Sequence, residues 1–186
     1  MATDTSICNS ALSKLGAERI LSLDENAPNA RLCKEQYPKI VDALLRGHPW
    51  NFAIKRAQLA ASTTDPVFGY DYSFPLPSDC LRVLEIEDGE TVDWQKEGRT
   101  IVTDSDSMKI KYISSGVTPG EFDANFAEVV AIQLAHDICF AVTQSTSLKE
   151  TLADELKKAL SHARTFDSQE GYPRQAWAKD WRNARY

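Results

Sequence analysis

Three histidines, four cysteines and one acidic run are the residues of this chain whose types could do chemistry. His48 stands in Gly-His-Pro-Trp, at the end of a helical pattern, where a ring nitrogen can bond terminal carbonyls. His136 and His162 fall in two later helical segments, and none of the three has a partner at metal-ligand spacing. Cys80 follows Asp79 at the start of a strand-like run; it could serve as a nucleophile, but a small buried thiol is the plainer reading. Glu85, Glu87, Asp88 and Glu90 could supply a glycosidase-like carboxylate pair, although their alternation beside a turn marks an exposed rim. Tyr70, Tyr72, Phe74 and Leu76 alternate along one run ending at Pro77. Such a row could stack sugars or bases, or it could be the inner face of a small sheet, which needs large side chains. The chain contains no phosphate-binding Gly-rich loop, GxSxG, HExxH or EF-hand pattern. Catalysis is not expected, nor any metal or cofactor.

The residues that remain point to contact rather than chemistry. The last 18, Gln169–Tyr186, hold Tyr172, Trp177, Trp181 and Tyr186 with no aliphatic support beyond alanine. They also hold Arg174, Lys179, Arg182 and Arg185 against two acids, while the chain as a whole carries −6. A basic, aromatic end after a finished helix reads as a docking tail, since two tryptophans within five residues release much apolar area on burial. The acidic total argues against wholesale wrapping of nucleic acid. Cys8, Cys33, Cys80 and Cys139 are widely spaced, so reduced core thiols are expected. The N-terminus lacks a basic region followed by an apolar core, so no secretory signal is expected. The apolar stretch from Phe126 to Val142 is broken by Glu128, Gln133, His136 and Asp137 and reads as a buried helix, not a bilayer span.

Period changes divide the 186 residues into parts. In residues 1–48, Ile7, Ala11, Leu12 and Leu15 recur at helical spacing after a cap at Thr3 or Asp4, and Gly16 is a natural stop. A second helix opens at Pro28 with Cys33, Tyr37, Ile40, Val41, Leu44 and Leu45 on one face; Pro38 should kink or split it. Residues 49–118 change to period two. Trp50-Phe52-Ile54, Tyr70–Leu76, Leu81–Glu87, Thr91–Gln95, Arg99–Thr103 and Met108–Tyr112 give about six strands, with Asp88-Gly89 as the strongest hairpin signal. A small antiparallel meander is expected. In residues 119–168 the helical period returns. Phe126, Val130, Leu134, Ile138 and Val142 follow a cap at Asp123, and the helix is apolar nearly all round, as a central helix is. A last helix opens on a Ser147–Glu150 capping box, its stripe being Leu148, Leu152, Leu156, Leu160, Ala163 and Phe166. The expected fold is α+β: a four-helix bundle split by an inserted antiparallel β domain, with an extended C-terminal tail.

An ordered set of short motifs carries a family resemblance. They are Ala11-Leu12-Ser-Lys-Leu15-Gly16-Ala-Glu-Arg-Ile20, Ala43-Leu-Leu-Arg-Gly-His48-Pro49-Trp50-Asn-Phe52-Ala53, and Tyr72 followed by Leu76-Pro77-Ser-Asp79-Cys80-Leu-Arg-Val83. Together they resemble the head-to-tail adaptor, or tail tubular protein A, family of short-tailed bacteriophages, over most of residues 5–168. Pro38 departs from the pattern, where similar chains continue the helix. The resemblance implies a structural virion protein of the tail or neck, assembled in the host cytoplasm. Its copies would form a homo-oligomeric ring of twelve joining the portal protein to the downstream tail (nozzle) protein, without a membrane. DNA would pass through the lumen without specific binding, helped by like-charge repulsion from an acidic wall. Tyr172, Arg174, Trp177, Trp181, Arg182 and Tyr186 would dock on the portal. Two other readings compete. One is a tail-associated protein that binds glycan or degrades cell wall through its β domain, and the other is a cellular helical scaffold.

Overall fold

The computed structural model describes residues 2–64, 66–87, 89 and 91–170. Helix α1, Asp4–Lys14, opens on a capping box in which Thr3 and Ser6 each accept the other's backbone N–H. It closes on Gly16 at φ +66°, where the Gly16 N–H bonds the Ser13 carbonyl and the Ala17 N–H that of Leu12. Only glycine enters that left-handed turn without strain. Helix α2, Pro28–Gly47, starts on its proline and runs through Pro38 as one element. Pro38 lies on the exposed face, so the Lys34 carbonyl it leaves without an N–H faces water and the helix need not split there.

Helix α3, Ala124–Thr143, is capped by Asp123, which accepts the Asn125 N–H at 2.8 Å. Phe126, Val130, Leu134 and Ile138 are all buried, as the four-residue interval requires. Gln144 turns the chain at φ 55° into α4, Thr146–Glu170. The oxygen that bonds the first turn of α4 is Ser145 Oγ, accepting the Leu148 N–H at 3.2 Å, so the cap lies two residues before the expected Ser147–Glu150 box. Lys14 joins three helices, reaching Glu128 on α3 at 2.8 Å and Glu155 on α4 at 3.1 Å.

The helices do not form the expected four-helix bundle. Helix α3 is a hub against which α1, α2 and α4 each pack, while α1 and α2 touch only slightly. The rest of the helical core is closed by other elements: Trp50 and Ala53 from the segment after α2, and Ile113 with Leu81 and Leu84 from the sheet. With those large side chains already against α2 and α3, a closed ring of four helices is not needed to exclude water.

The strands are β1 (Ile54–Leu59), β2 (Tyr72–Pro75), β3 (Cys80–Ile86), β4 (Trp94–Glu97), β5 (Thr100–Thr103) and β6 (Met108–Ser114). They form two three-stranded antiparallel sheets, ordered β1-β6-β3 and β2-β5-β4, in place of one six-stranded meander. The hairpin expected at Asp88-Gly89 is replaced by other pairing, since β3 pairs with β6 and β4 with β5; Asp88 itself lies outside the described residues. A hairpin forms at Glu97-Gly98, with Gly98 at φ +57° between β4 and β5. The first expected strand starts late, since Asn51–Ala53 is a 3-10 turn and extended structure begins at Ile54. Leu59, Phe74, Leu76, Ile86, Ile101, Met108, Ile110 and Tyr112 fill the space between the sheets.

Candidate functional site

Where α2 gives way to β1, the chain turns through His48-Pro49-Trp50-Asn51-Phe52, and this segment meets the end of α4. Asp167 is buried there, accepting from the Asn51 backbone N–H at 2.8 Å and lying 3.0 Å from His48 Nε2. The Asn51 side-chain amide donates back to the Asp167 carbonyl. Trp50, 1% exposed, donates its indole N–H to the Leu44 carbonyl at 2.9 Å, which satisfies the last turn of α2. Its ring meets His48 edge-on at 4.6 Å and Phe126 at 4.9 Å, and Phe52 and Phe122 complete the aromatic group around Phe126. The clamp fixes helix α4 against the start of the sandwich.

Asp79 makes a second polar centre, at the foot of the sandwich. It accepts from Ser114 Oγ at 2.6 Å and from the Tyr112 hydroxyl at 3.3 Å, with Lys55 Nζ at 3.5 Å. Its carbonyl accepts the Ser115 N–H at 2.8 Å. The Ser114 bond holds the Asp79 carboxyl below the usual carboxylate range; partial burial opposes this and Lys55 adds to it. Burial first, then the Asp79 charge, pushes the Tyr112 phenol up. Lys55 also reaches the Gly116 carbonyl at 3.2 Å, tying β1 to the chain after β6. Pro77 contributes a carbonyl to Arg99, and Tyr72 is half-buried on β2.

Gly16, His48, Pro49, Trp50, Phe52, Tyr72, Pro77 and Asp79 are therefore spread over a helix stop, the α4 clamp and the sandwich foot, and converge on no cleft. Asp167, the centre of the clamp, is the residue the sequence reading missed. Its signal was present: it stands four residues after Ala163, on the apolar stripe of α4, where a carboxylate needs partners. Phe166, assigned to that stripe, is 45% exposed.

The candidates for chemistry separate. His136 bonds its neighbour Asp137 and His162 lies against Phe166, whereas His48 meets Asp167. Cys80 is buried and desolvation pushes its thiol up, the reverse of activation. Glu85 and Glu87 lie within 3.9 Å of Lys111 and 2.7 Å of Lys109; Asp88 and Glu90 lie outside the described residues. Of the aromatic row, Phe74 and Leu76 point into the sandwich core, while Tyr70 and Tyr72 are half-buried. Among the described residues, no three His, Cys, Asp or Glu side chains gather as metal ligands would. The residues expected to dock, Tyr172, Arg174, Trp177, Trp181, Arg182 and Tyr186, also lie outside the described residues.

Two surface features stand out. Val67 and Phe68, at the tip of the loop from β1 to β2, are 98% and 87% exposed. On the outer face of the first sheet, Arg56 stands opposite Lys111, which is followed by Glu85 on β3, while Lys109 pairs with Glu87 just after β3. Compared with known proteins, no family model matches the chain and no curated protein gives a significant match.

Proposed function

We propose that this chain is a non-enzymatic structural subunit, a head-to-tail adaptor that works as a ring between a phage portal and the next tail component. The observation that carries the reading is the exposed Val67–Phe68 tip. A phenylalanine and a valine held in water at the end of a loop forgo several kcal/mol of burial, about 1.5–3 for each large apolar side chain, which an assembly interface recovers. The framework suits that work. The α4 clamp, and Arg46 of α2 donating to the Leu81 carbonyl, join helices to sandwich, so a load applied to one is passed to the other. The motifs behind the resemblance are spent on this framework, and none supplies a nucleophile beside a base. No observation favours the glycan-directed reading, since Phe74 and Leu76 of its aromatic row are spent on the sandwich core.

The test mixes the full-length protein with the portal protein encoded nearest its gene and records native mass spectra. A complete ring of added subunits supports the adaptor reading, and loss of that increment in Phe68→Asp assigns it to the exposed tip. Truncation before residue 169 asks separately whether the tail docks. No added mass at any salt concentration refutes the adaptor reading.

A further inference from the structure

We propose that the two lateral sides of the sandwich are made for each other, so that copies of this chain dock side to side in one rotational sense. This rests on the ring reading and names the surface that would build the ring. One side is formed by β1 and the loop leading to β2, held along β2 by the Ser62 N–H on the Ser73 carbonyl at 2.7 Å. It presents Lys55 and Arg56, both exposed, and the apolar Val67–Phe68 tip. The other side is formed by β3, its following turn and β4. It presents Glu85 and Glu87, with Trp94 38% exposed next to Gly89 of that turn. One side is basic with an apolar projection; the other is acidic with an exposed aromatic.

Inside one chain the arrangement is unbalanced. Across the sheet, one row reads Arg56, Lys111, Glu85. Lys111 is 3.9 Å from Glu85, whereas Arg56 faces Lys111 across the strand pair and has no acidic partner among the described residues. Like charges directly opposite in a sheet are destabilising. A second copy that brings its β3 side against β1 places a carboxylate beside Arg56, on the side of it that Lys111 leaves open. Nucleic acid fits this face poorly, because Glu85 and Glu87 share it.

Topology sets the sense of the contact. In a three-stranded antiparallel sheet both outer strands run the same way, so a β3 edge beside a neighbour's β1 edge lies parallel to it. A two-fold contact would instead set Lys55 and Arg56 against their own copies, or Glu85 and Glu87 against theirs, and is opposed by charge. The unlike pairing is heterologous, the kind that closes into a ring when its rotation divides the circle.

The experiment follows self-association of full-length wild type, Arg56→Glu, the swap Arg56→Glu/Glu85→Arg, and Phe68→Ser. Sedimentation and native mass spectrometry are run with and without the portal, and circular dichroism confirms the fold. Arg56→Glu is expected to weaken association at least about tenfold, and the swap to restore it, because each neighbour then offers the reversed charge. Phe68→Ser is expected to weaken it with an unchanged melting temperature. Wild-type rings that survive Arg56→Glu overturn this interface and leave the ring reading standing. Loss in Arg56→Glu with no rescue in the swap overturns the Arg56–Glu85 pairing. A wild type that stays monomeric both alone and with the portal overturns the interface and the ring together.

Discussion

Replacing Asp167 by alanine removes the acceptor of the Asn51 N–H at 2.8 Å and the partner of His48 Nε2 at 3.0 Å. The N–H is partly buried, so its loss costs toward the low end of an unsatisfied donor, about 1 kcal/mol, and the imidazole bond adds about 1 more. The sum, about 2 kcal/mol, corresponds to a fall of about 4–8 °C in melting temperature for a chain of this size. Asp167→Asn keeps an oxygen for the Asn51 N–H, and its cost should be about half. The bond from the Asn51 side chain to the Asp167 backbone carbonyl survives in both variants, so the helix end is loosened and not released. Calorimetry reads the total. Hydrogen exchange of the amides in residues 160–170 locates it, since those should lose protection before α3 does. The reasoning is refuted if Asp167→Ala melts within 1 °C of wild type, or if the asparagine and alanine variants are equally damaged.

Other consequences are open to measurement. Trp50→Ala should cost about 3–5 kcal/mol in denaturant unfolding, because a fully buried indole at the centre of an aromatic group leaves a cavity. Pro38→Ala should stabilise by about 1–2 kcal/mol, restoring a helical hydrogen bond at an exposed position against a smaller loss of chain stiffness. The Asp79 carboxyl is depressed in the fold, so its contribution is complete above about pH 4 and is lost as pH falls through its still lower native value. Asp79→Asn should accordingly flatten the acid limb of a stability–pH curve and lower the plateau above it. Lys14→Met should detach α1 from α3 and α4 only slightly, by about 1 kcal/mol or less in thermal melts, as partly exposed ion pairs do.

Local signals in the sequence gave a good account of the helices and a poor one of how elements choose partners. Thr3, Gly16, Pro28 and Asp123 mark helix ends by chemistry that acts within a few residues, and the helices begin and end beside them. Met108–Tyr112 alternates because a strand's two faces alternate, whatever lies on either side. Asp88-Gly89 failed because a turn signal cannot say that β3 finds its partner in β6, twenty-odd residues on. The bundle failed for a related reason: four amphipathic stripes permit a bundle, but the aromatic segment after α2 competes for the same apolar surface and occupies it. Three alternating residues at Trp50–Ile54 could not distinguish a strand from a 3-10 turn that swings Trp50 inward. The edges of the sandwich were readable only as charges; their opposition across the sheet needed the order β1-β6-β3.

Strand β6 carries a consequence for how this molecule can be divided. Tyr112 fills the sandwich core, and its neighbour Ile113 fills the helical core. Successive residues of one strand thus close two separate interiors. A slip of one residue in pairing would exchange them, putting a phenol where the isoleucine side chain packs and an isoleucine where Asp79 waits for a hydroxyl. Neither interior can be assembled in the wrong register without spoiling the other, so the two should melt as a single cooperative unit. Excising residues 54–118 to obtain a free helical miniprotein would leave a hole at the Ile113 position, and a grafted sandwich would expose the same side chain. The chain has two cores but one foldable piece.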